Sequence, residues 1–237
     1  MISSTFFFLF SQLAVGMLWT LLFISPRSIG NSFFKFSSQT AAILLGVTLG
    51  FEFLFPSPVR ESVLPVVFLA VSALMAGVYN RTVHIDKYGP AKWVLIASIG
   101  AGLASITLDS LAFNQLMELG GWEPWLLVIN HLGGTALLGS GMLTMVFGHW
   151  YLVVPNLSID PLRRLTKVYI ATIAFRILTI LATLAMLRFH QSIPLANVVS
   201  ELFVRQGLFF WPRFLFGVVV PIVLGVMVWS TVKLRHT

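Results

Sequence analysis

The sequence contains no cysteine and very little charge. It has 15 Lys and Arg and 8 Asp and Glu among 237 residues, so only 10% of the chain is charged, whereas a soluble domain typically carries about 25%. The absence of cysteine excludes disulfides, thiolate metal sites, iron–sulfur ligation by this chain and covalent c-type haem attachment. A metal or haem held by this chain would therefore need His, Met or carboxylate ligands.

Catalytic signatures are also missing from the sequence. It has no His-Glu-x-x-His, Gly-x-Ser-x-Gly, Walker A or Gly-x-Gly-x-x-Gly motif. No internal repeat or low-complexity segment interrupts the chain. We therefore assign no catalytic residue and no metal site, and the sequence leaves open whether the protein is an enzyme.

Hydrophobic residues dominate instead, at 57% of the chain with a mean hydropathy of +0.92. A soluble core of this size does not require so little charge, so we expect lipid to surround much of the surface. The net charge of +7 does not indicate a nucleic-acid partner, because the basic residues lie at the ends of apolar segments, as membrane topology requires. The composition predicts one integral membrane domain over 1–237, with the lipid bilayer as its partner.

Seven apolar segments predict an all-α, polytopic bundle of transmembrane helices. Their ranges are 5–25, 40–55, 62–80, 92–113, 125–151, 161–187 and 209–232. The N-terminus lacks the basic region and cleavage site of a signal peptide, so we expect the first segment to be retained. Asp160 and Pro161 are the expected N-cap and first residue of the sixth helix, and Pro221 is the expected kink of the seventh. The amphipathic spacing over 194–206 predicts a helix in the outer interface plane, or one packed over the mouth of the bundle.

The basic residues predict the orientation of the bundle. With seven spans, ten of them lie on one side: Arg27, Lys35, Arg81, Lys87, Lys92, Arg163, Arg164, Lys167, Lys233 and Arg235. The other side has four: Arg60, Arg188, Arg205 and Arg213. The positive-inside rule then places the N-terminus outside and the C-terminus in the cytoplasm, and we expect a prokaryotic cytoplasmic (inner) membrane. An even number of spans would require a re-entrant segment, for which the short 40–55 is the candidate.

The fifth segment carries a histidine near each end. His131 and His149 are eighteen residues apart, or five helical turns, so they share one face about 27 Å apart along the axis. Haem b is one interpretation, with His131 and His149 as axial ligands and the second ligands from other helices. However, His84 and His190 fall in loops, and the spacing is longer than in dihaem cytochrome b helices. The alternative for His149 is an interfacial aromatic belt with its neighbours Trp150 and Tyr151, and a packing surface for another helix is the commoner use of such a face.

Ionisable residues inside the predicted spans are the candidate site residues, because they are costly in lipid unless paired or hydrated. A short loop joins segments four and five, so they should be antiparallel neighbours, with Asp109 level with Asn130 and His131. An Asp beside a His suits a proton relay, a quinone headgroup site or a ligating histidine. The alternative is a polar pair that joins two helices. Glu52 is either a third member of this cluster or a carboxylate at the water interface.

Arg176 lies near the middle of segment six, too deep to reach water easily. Four polar residues share its helical face: Tyr169, Thr172, Thr179 and Thr183. Such a stripe should face the interior of the bundle or a cavity. Asp109 is the best charge partner in the sequence. Arg176 either binds an anionic or quinone-like ligand, or forms a structural ion pair or a contact with a partner subunit.

These residues lead to three functional hypotheses. The first is a membrane subunit of a respiratory or other electron-transfer complex, which handles quinone, haem b or protons through Asp109, His131, Arg176 and Glu52. The second is a transporter or channel for a small anion, with Arg176 as the binding charge. The third is a membrane scaffold or assembly subunit without a ligand. The first and third imply other membrane subunits as partners.

Overall fold

The computed structural model describes residues 2–56, 62–85, 88–116, 123–154, 157–190 and 215–234. Every regular element in these ranges is helical. In chain order they are α1 (Ile2–Leu21), α2 (Pro26–Ile29), α3 (Asn31–Leu54), α4 (Leu64–His84), α5 (Tyr88–Leu116), α6 (Glu123–Val153), α7 (Asp160–His190), a π-helical turn (Leu215–Val219) and α8 (Val220–Leu234). The all-α class predicted from the sequence is confirmed for this part of the chain.

Five helices are long and apolar enough to cross a membrane. Their apolar ranges are Asn31–Leu54, Leu64–His84, Gly89–Ala112, Pro124–Val153 and Asp160–Thr183. Two shorter apolar helices, Thr5–Leu21 and Gly217–Met227, lie near the two ends of the chain. In each of the five, at most 44% of the most apolar window is buried, so large apolar side chains cover the outside of the molecule. Such an outer surface is typical of a protein in lipid.

The helices differ from the predicted segments at several ends. The second segment, predicted as the short 40–55, belongs to α3, whose 24 residues span about 36 Å. Lys35, expected in a connection, lies inside this helix. The start of α3 is tied to α4 because the Asn80 side chain donates hydrogen bonds to the Lys35 carbonyl and the Ser38 hydroxyl, both at 2.9 Å. A continuous helix of this length removes the reason to treat the segment as re-entrant.

Two further expectations concern α7 and the segment after it. The helix begins at Asp160 rather than Pro161, and the Ile159 carbonyl accepts the backbone N–H of Arg163 at 3.0 Å. Ile159, one residue before Asp160, is thus the residue that caps the helix. The predicted interfacial helix over 194–206 and residues 209–214 of the seventh segment lie outside the described residues.

Four of the helices form a closed ring. In order around the ring, α1 packs against α3, α3 against α4, α4 against α5 and α5 against α1. Three more helices continue outward from this ring. α6 packs against α1 and α5, α7 packs against α6, and α8 packs against α7. α1 has α3, α5 and α6 around it, and more than half of the residues over 5–21 are buried.

Small hydroxyl residues line much of the interior between these helices. Ser72 on α4 donates a hydrogen bond to the Ser98 carbonyl on α5, and Ser98 donates one to the Ser72 carbonyl, both at 2.8 Å. Nearer the start of α4, the Ser105 hydroxyl donates to the Pro65 carbonyl at 2.6 Å. Interiors of this kind are characteristic of membrane bundles, where small residues allow close helix packing and hydroxyls join the helices.

A backbone-to-backbone contact joins α1 and α6. Gly16 and Gly139 face each other backbone to backbone, and a Cβ atom on either one would overlap the main chain of the other helix. The sequence also contains a GxxxG motif, Gly46 to Gly50 on α3, but these glycines do not form a close helix contact of this kind. A Cβ at either of those positions would meet nothing within 4 Å, so this motif faces outward.

The region expected to kink at Pro221 is irregular. Pro221 is the second residue of α8, which directly follows the π-helical turn Leu215–Val219. Because proline has no N–H, it cannot continue the normal helical hydrogen bonds, and π-helical turns commonly accompany such breaks. The Pro221 carbonyl instead accepts a hydrogen bond from the Tyr169 hydroxyl on α7 at 3.1 Å, which fixes α8 against α7.

Candidate functional site

Arg176 is held by Asn130 across the contact between α7 and α6. Its Nη1 donates to the Asn130 carbonyl oxygen at 2.8 Å and to the Asn130 side-chain oxygen at 3.1 Å. The Asn130 amide nitrogen donates in turn to the Leu126 carbonyl at 2.9 Å and to the Thr183 hydroxyl at 2.8 Å. The sequence favoured Asp109 as the partner of Arg176, but the acceptors that the structure shows are both on Asn130.

The polar stripe of α7 faces the interior, as predicted. Tyr169, Thr172 and Thr179 are buried, and Thr183, the fourth member, accepts the hydrogen bond from Asn130. The Thr172 hydroxyl lies 2.9 Å from the Ser140 hydroxyl on α6. Arg176 itself is half-buried. A guanidinium therefore sits within a row of hydroxyl groups, in a helix whose other faces are mainly apolar.

His131 contacts the helices on the other side of α6. Its Nδ1 lies 2.6 Å from the Ser110 hydroxyl on α5. Its ring stacks on Phe8 of α1, with centroids 4.3 Å apart and planes at 22°. Ser110 is the residue after Asp109, so the hydrogen bond confirms that α5 and α6 are antiparallel neighbours with Asp109 near the depth of His131.

The structure divides the predicted cluster between two sides of α6. Asn130 and His131 are consecutive, so their side chains leave the helix about 100° apart. Asn130 reaches α7, where Arg176 lies, whereas His131 reaches α1 and α5. The two sides are joined through the α6 backbone, because the same Asn130 carbonyl that receives Arg176 precedes His131 directly. The polar groups nevertheless lie at one level of the bundle.

The two acidic candidates are both buried. Asp109 is 5% exposed on α5, and Glu52 is 7% exposed on α3. Glu52 shares the buried face of α3 with Thr48, and the stacking of its neighbour Phe51 on Phe6 of α1 places it near the beginning of α1. A role for either carboxylate in the site stays a prediction.

The second histidine of α6 lies apart from this site. His149 is exposed, and the next residue, Trp150, packs its ring against Phe33 and Phe36 of α3 with centroids 5.9 and 6.5 Å apart. This arrangement supports an aromatic belt. On the same face of α6, Met145 is 67% exposed, so the face between the two histidines does not form one enclosed surface.

Haem ligation would require a second axial ligand from another helix for each histidine of α6. His84 ends α4, a helix that packs against α3 and α5, and its side chain is exposed. The side chain of His190 is outside the described part of the chain. Within the described residues, no group of three or more His, Asp or Glu side chains is arranged to hold a metal ion. Haem b therefore stays a prediction that rests on His131 and His149 alone.

Several residues of the site were not singled out from the sequence. Asn130 appeared there only as a depth marker, and Ser110 and Phe8 did not appear. Asn130 did offer a signal, because it is an amide in an apolar segment next to a histidine. Phe8 offered none, since it is one of 21 phenylalanines and its stacking on His131 depends on the packing of α1 beside α6.

Comparisons with known proteins complete this description of the site. The chain gives no match to protein-family models, to curated proteins or to solved structures, so its function is argued from the geometry around Asn130, His131 and Arg176.

Proposed function

We propose that the chain is a multi-pass integral membrane protein with seven spans, its N-terminus outside and its C-terminus in the cytoplasm. The five long apolar helices support this placement, as does the outward position of large apolar side chains such as Phe53, Leu74 and Trp93. α1, with 20 residues, is about 30 Å long and so matches the hydrocarbon core. The π-helical turn and α8 form the described part of the seventh span.

The directions of the helices also support this topology. At one end of the molecule, Phe8 of α1 stacks on His131 of α6 and Phe6 stacks on Phe51 of α3. At the other end, Phe33 of α3 contacts Phe147 of α6. α1 and α6 are therefore parallel, and α3 runs against both. This is the order expected when consecutive long helices alternate in direction across a bilayer.

Within this topology, the proposed role is that of a quinone-binding subunit of a membrane electron-transfer complex. The observation that carries it is the state of Arg176. One nitrogen, Nη1, is fixed by Asn130, while Nε and Nη2 form no hydrogen bond to the described residues. A fixed guanidinium edge with free donors in an apolar region suits the carbonyl oxygen of a quinone, which reaches such a site through the lipid.

His131, at the same depth on the other side of α6, is the candidate proton group of the proposed role. The Ser110 hydroxyl fixes its Nδ1, and the stacked ring of Phe8 fixes its plane. A histidine held in this way has one ring nitrogen left to exchange a proton, and the roles of the two nitrogens follow from the tautomer. Quinone reduction consumes protons, so a group of this kind at the same depth as Arg176 fits the proposed role. Asp109, the neighbour of Ser110, is the next residue of the proposed proton path.

Quinone binding by the purified protein tests this role. Decyl-ubiquinone is titrated into the protein in mild detergent, and binding is followed by quenching of tryptophan fluorescence. Loss of a charge-assisted hydrogen bond removes about 1.5–3 kcal/mol, so Arg176→Leu should bind at least about tenfold more weakly. The matched control is Arg164→Gln, an exposed residue of the same helix, which should bind as the wild type does. Equal affinities of Arg176→Leu and the wild type would overturn the proposal.

A small-anion transporter or channel is the second candidate function. It is favoured by the partner of Arg176, because Asn130 is neutral and does not cancel the positive charge. Proteoliposomes loaded with a chloride-sensitive dye test this function. Chloride entry that Arg176→Leu removes, together with no quinone binding by the wild type, would favour the anion function. If neither activity is found, and Arg176→Leu only prevents recovery of a larger complex whose cofactors remain bound, the scaffold hypothesis is favoured.

A further inference from the structure

A shallow groove runs along the outer seam between α3 and α4. Its volume is about 730 Å³, and the residues that line it include Leu49, Ala70, Ala73, Gly77 and Arg81. Leu49 lies on α3, whereas Ala70, Ala73, Gly77 and Arg81 lie on α4. The groove forms because three small residues, Ala70, Ala73 and Gly77, lie along one side of α4 and leave space there.

The groove has the length of one lipid chain. Ala70 and Arg81 are eleven residues apart on a continuous helix, which is about 16 Å along the axis. One leaflet contributes about half of the roughly 30 Å hydrocarbon core. The groove therefore covers the depth of a single leaflet, with its apolar part toward the middle of the bilayer and Arg81 at the boundary.

The charge of the groove is concentrated at this boundary. Arg81 is exposed, and the exposed His84 follows in the same last turn of α4. Lys35 is brought to the same end, because Asn80, which precedes Arg81, donates a hydrogen bond to the Lys35 carbonyl. Among the described residues, no acidic side chain lines the groove. A negatively charged headgroup is the complement of this end, and basic pockets between membrane helices are known to bind such headgroups.

We infer that this groove binds one anionic glycerophospholipid of the cytoplasmic leaflet. One acyl chain lies over Ala73 and Gly77, and its phosphate pairs with Arg81. The inference rests on the multi-pass placement proposed above, but not on quinone or anion binding at Arg176. The other candidate occupant, a transmembrane helix from a second chain, would use the same small residues but would gain nothing from an exposed arginine.

Gly77 allows the groove to be closed without disturbing the fold. A Cβ at Gly77 would meet nothing within 4 Å, and the same is true of Gly100 on α5. Gly77→Leu should therefore fill the groove, and Gly100→Leu is the matched control with the same added side chain. Equal thermal unfolding of both variants and the wild type, followed by tryptophan fluorescence, shows that the bundle is intact.

Native mass spectrometry of the full chain in detergent gives the decisive measurement, with added phosphatidylglycerol or phosphatidylcholine. We expect the wild type and Gly100→Leu to retain one more phosphatidylglycerol than Gly77→Leu. A basic residue near the surface is worth about 1 kcal/mol, so Arg81→Gln should bind phosphatidylglycerol about fivefold more weakly and lose the preference over phosphatidylcholine. The same number of bound lipids in Gly77→Leu and wild type overturns the inference. A wild-type dimer that becomes a monomer in Gly77→Leu, with unchanged lipid binding, overturns it in favour of a helix partner.

These outcomes separate this inference from the membrane placement itself. If the protein is released from membranes by alkaline carbonate, the multi-pass proposal fails, and the lipid site fails with it. If the protein stays in the membrane and Gly77→Leu binds lipid as the wild type does, only the lipid site fails.

Discussion

Ser72 on α4 and Ser98 on α5 each donate a hydrogen bond to the backbone carbonyl of the other, at 2.8 Å in both directions. The two hydroxyl oxygens are 3.5 Å apart, and both side chains are fully buried. Gly102 lies beside this pair, and a Cβ there would come within 3.0 Å of the Ser72 hydroxyl. The contact between α4 and α5 is therefore fixed by two reciprocal hydrogen bonds at the centre of the four-helix ring.

Removal of this pair should cost a modest and measurable amount of stability. Interhelical hydrogen bonds in membrane proteins average about 0.6 kcal/mol, so Ser72→Ala and Ser98→Ala should each lower the free energy of unfolding by about that amount, and the double variant by about twice as much. Unfolding in SDS, followed by tryptophan fluorescence, measures these differences. The control is Ser230→Ala on α8, an exposed residue whose hydroxyl donates to the Met227 carbonyl of its own helix. If Ser230→Ala lost as much stability as Ser72→Ala, the prediction would be contradicted.

The contact between Gly16 and Gly139 predicts opposite signs for two alanine substitutions in α6. Gly139→Ala places a methyl group against the α1 backbone and should destabilise the protein by about 1–3 kcal/mol or more. Gly148→Ala places the same group in open space and should stabilise the helix by up to about 1 kcal/mol. Thermal unfolding in detergent, followed by the fluorescence of the seven tryptophans, compares the two. Equal midpoints would show that α1 and α6 do not meet at this glycine pair.

The bond between Asn130 and Arg176 predicts strong coupling between these residues. Asn130→Leu removes the side-chain oxygen that accepts from Arg176 and leaves the backbone carbonyl of residue 130 in place. Loss of this one hydrogen bond to a charged group should cost about 1.5–3 kcal/mol. In the double variant Asn130→Leu/Arg176→Leu the charge is gone, so the loss should be at least about 1 kcal/mol smaller than the sum of the single losses. The control for additivity is the double variant Asn130→Leu/Arg164→Leu. Arg164 lies about 18 Å from Arg176 along α7, so its loss should simply add to that of Asn130→Leu. If the stability losses of Asn130→Leu and Arg176→Leu also add in their double variant, the two residues act independently.

The absence of cysteine makes the orientation directly measurable, because any introduced thiol is the only one in the chain. Ser62 lies before α4, His84 ends α4 and Ser158 precedes α7, and all three are exposed. In spheroplasts, a membrane-impermeant maleimide should label Ser62→Cys, and it should label His84→Cys and Ser158→Cys only after the membrane is opened. The reverse pattern would invert the proposed orientation. Labelling of all three in closed spheroplasts would contradict a bundle that crosses the membrane between them.

The helical class, the α5–α6 hairpin and the inward polar stripe of α7 were predictable from sequence because each depends on local spacing. Apolar length predicts a helix, a short loop predicts antiparallel neighbours, and residues three, four and seven apart share a face. This reasoning placed Asp109 beside His131. In the structure the residue of α5 that contacts His131 is Ser110, one residue after Asp109.

The contacts between distant helices were not predictable in the same way. Gly16 and Gly139 are the glycines that meet, yet nothing in their neighbourhood distinguishes them from Gly46 and Gly50, which form the familiar motif and face outward. The reason is physical: a glycine permits close approach but does not specify the partner, which depends on how all the helices pack together. The contact between Arg176 and Asn130 was not predictable for a related reason. Counting residues along the sequence identifies possible charge partners, but it does not show which acceptor a side chain reaches.

The enclosed position of α1 has a consequence for biogenesis. Gly16 leaves the ribosome 123 residues before its partner Gly139, a delay of about 6–25 s at usual rates of synthesis. In the proposed membrane placement, the face of α1 that later meets α6 lacks this partner during that time. Ser11 and Thr20, both buried in the finished protein, donate their hydroxyls to carbonyls of α1 itself, so these groups are satisfied before α6 arrives. In the proposed membrane placement, α1 is thus suited to wait in the bilayer, and its packing against α6 follows only after Gly139 has been synthesised.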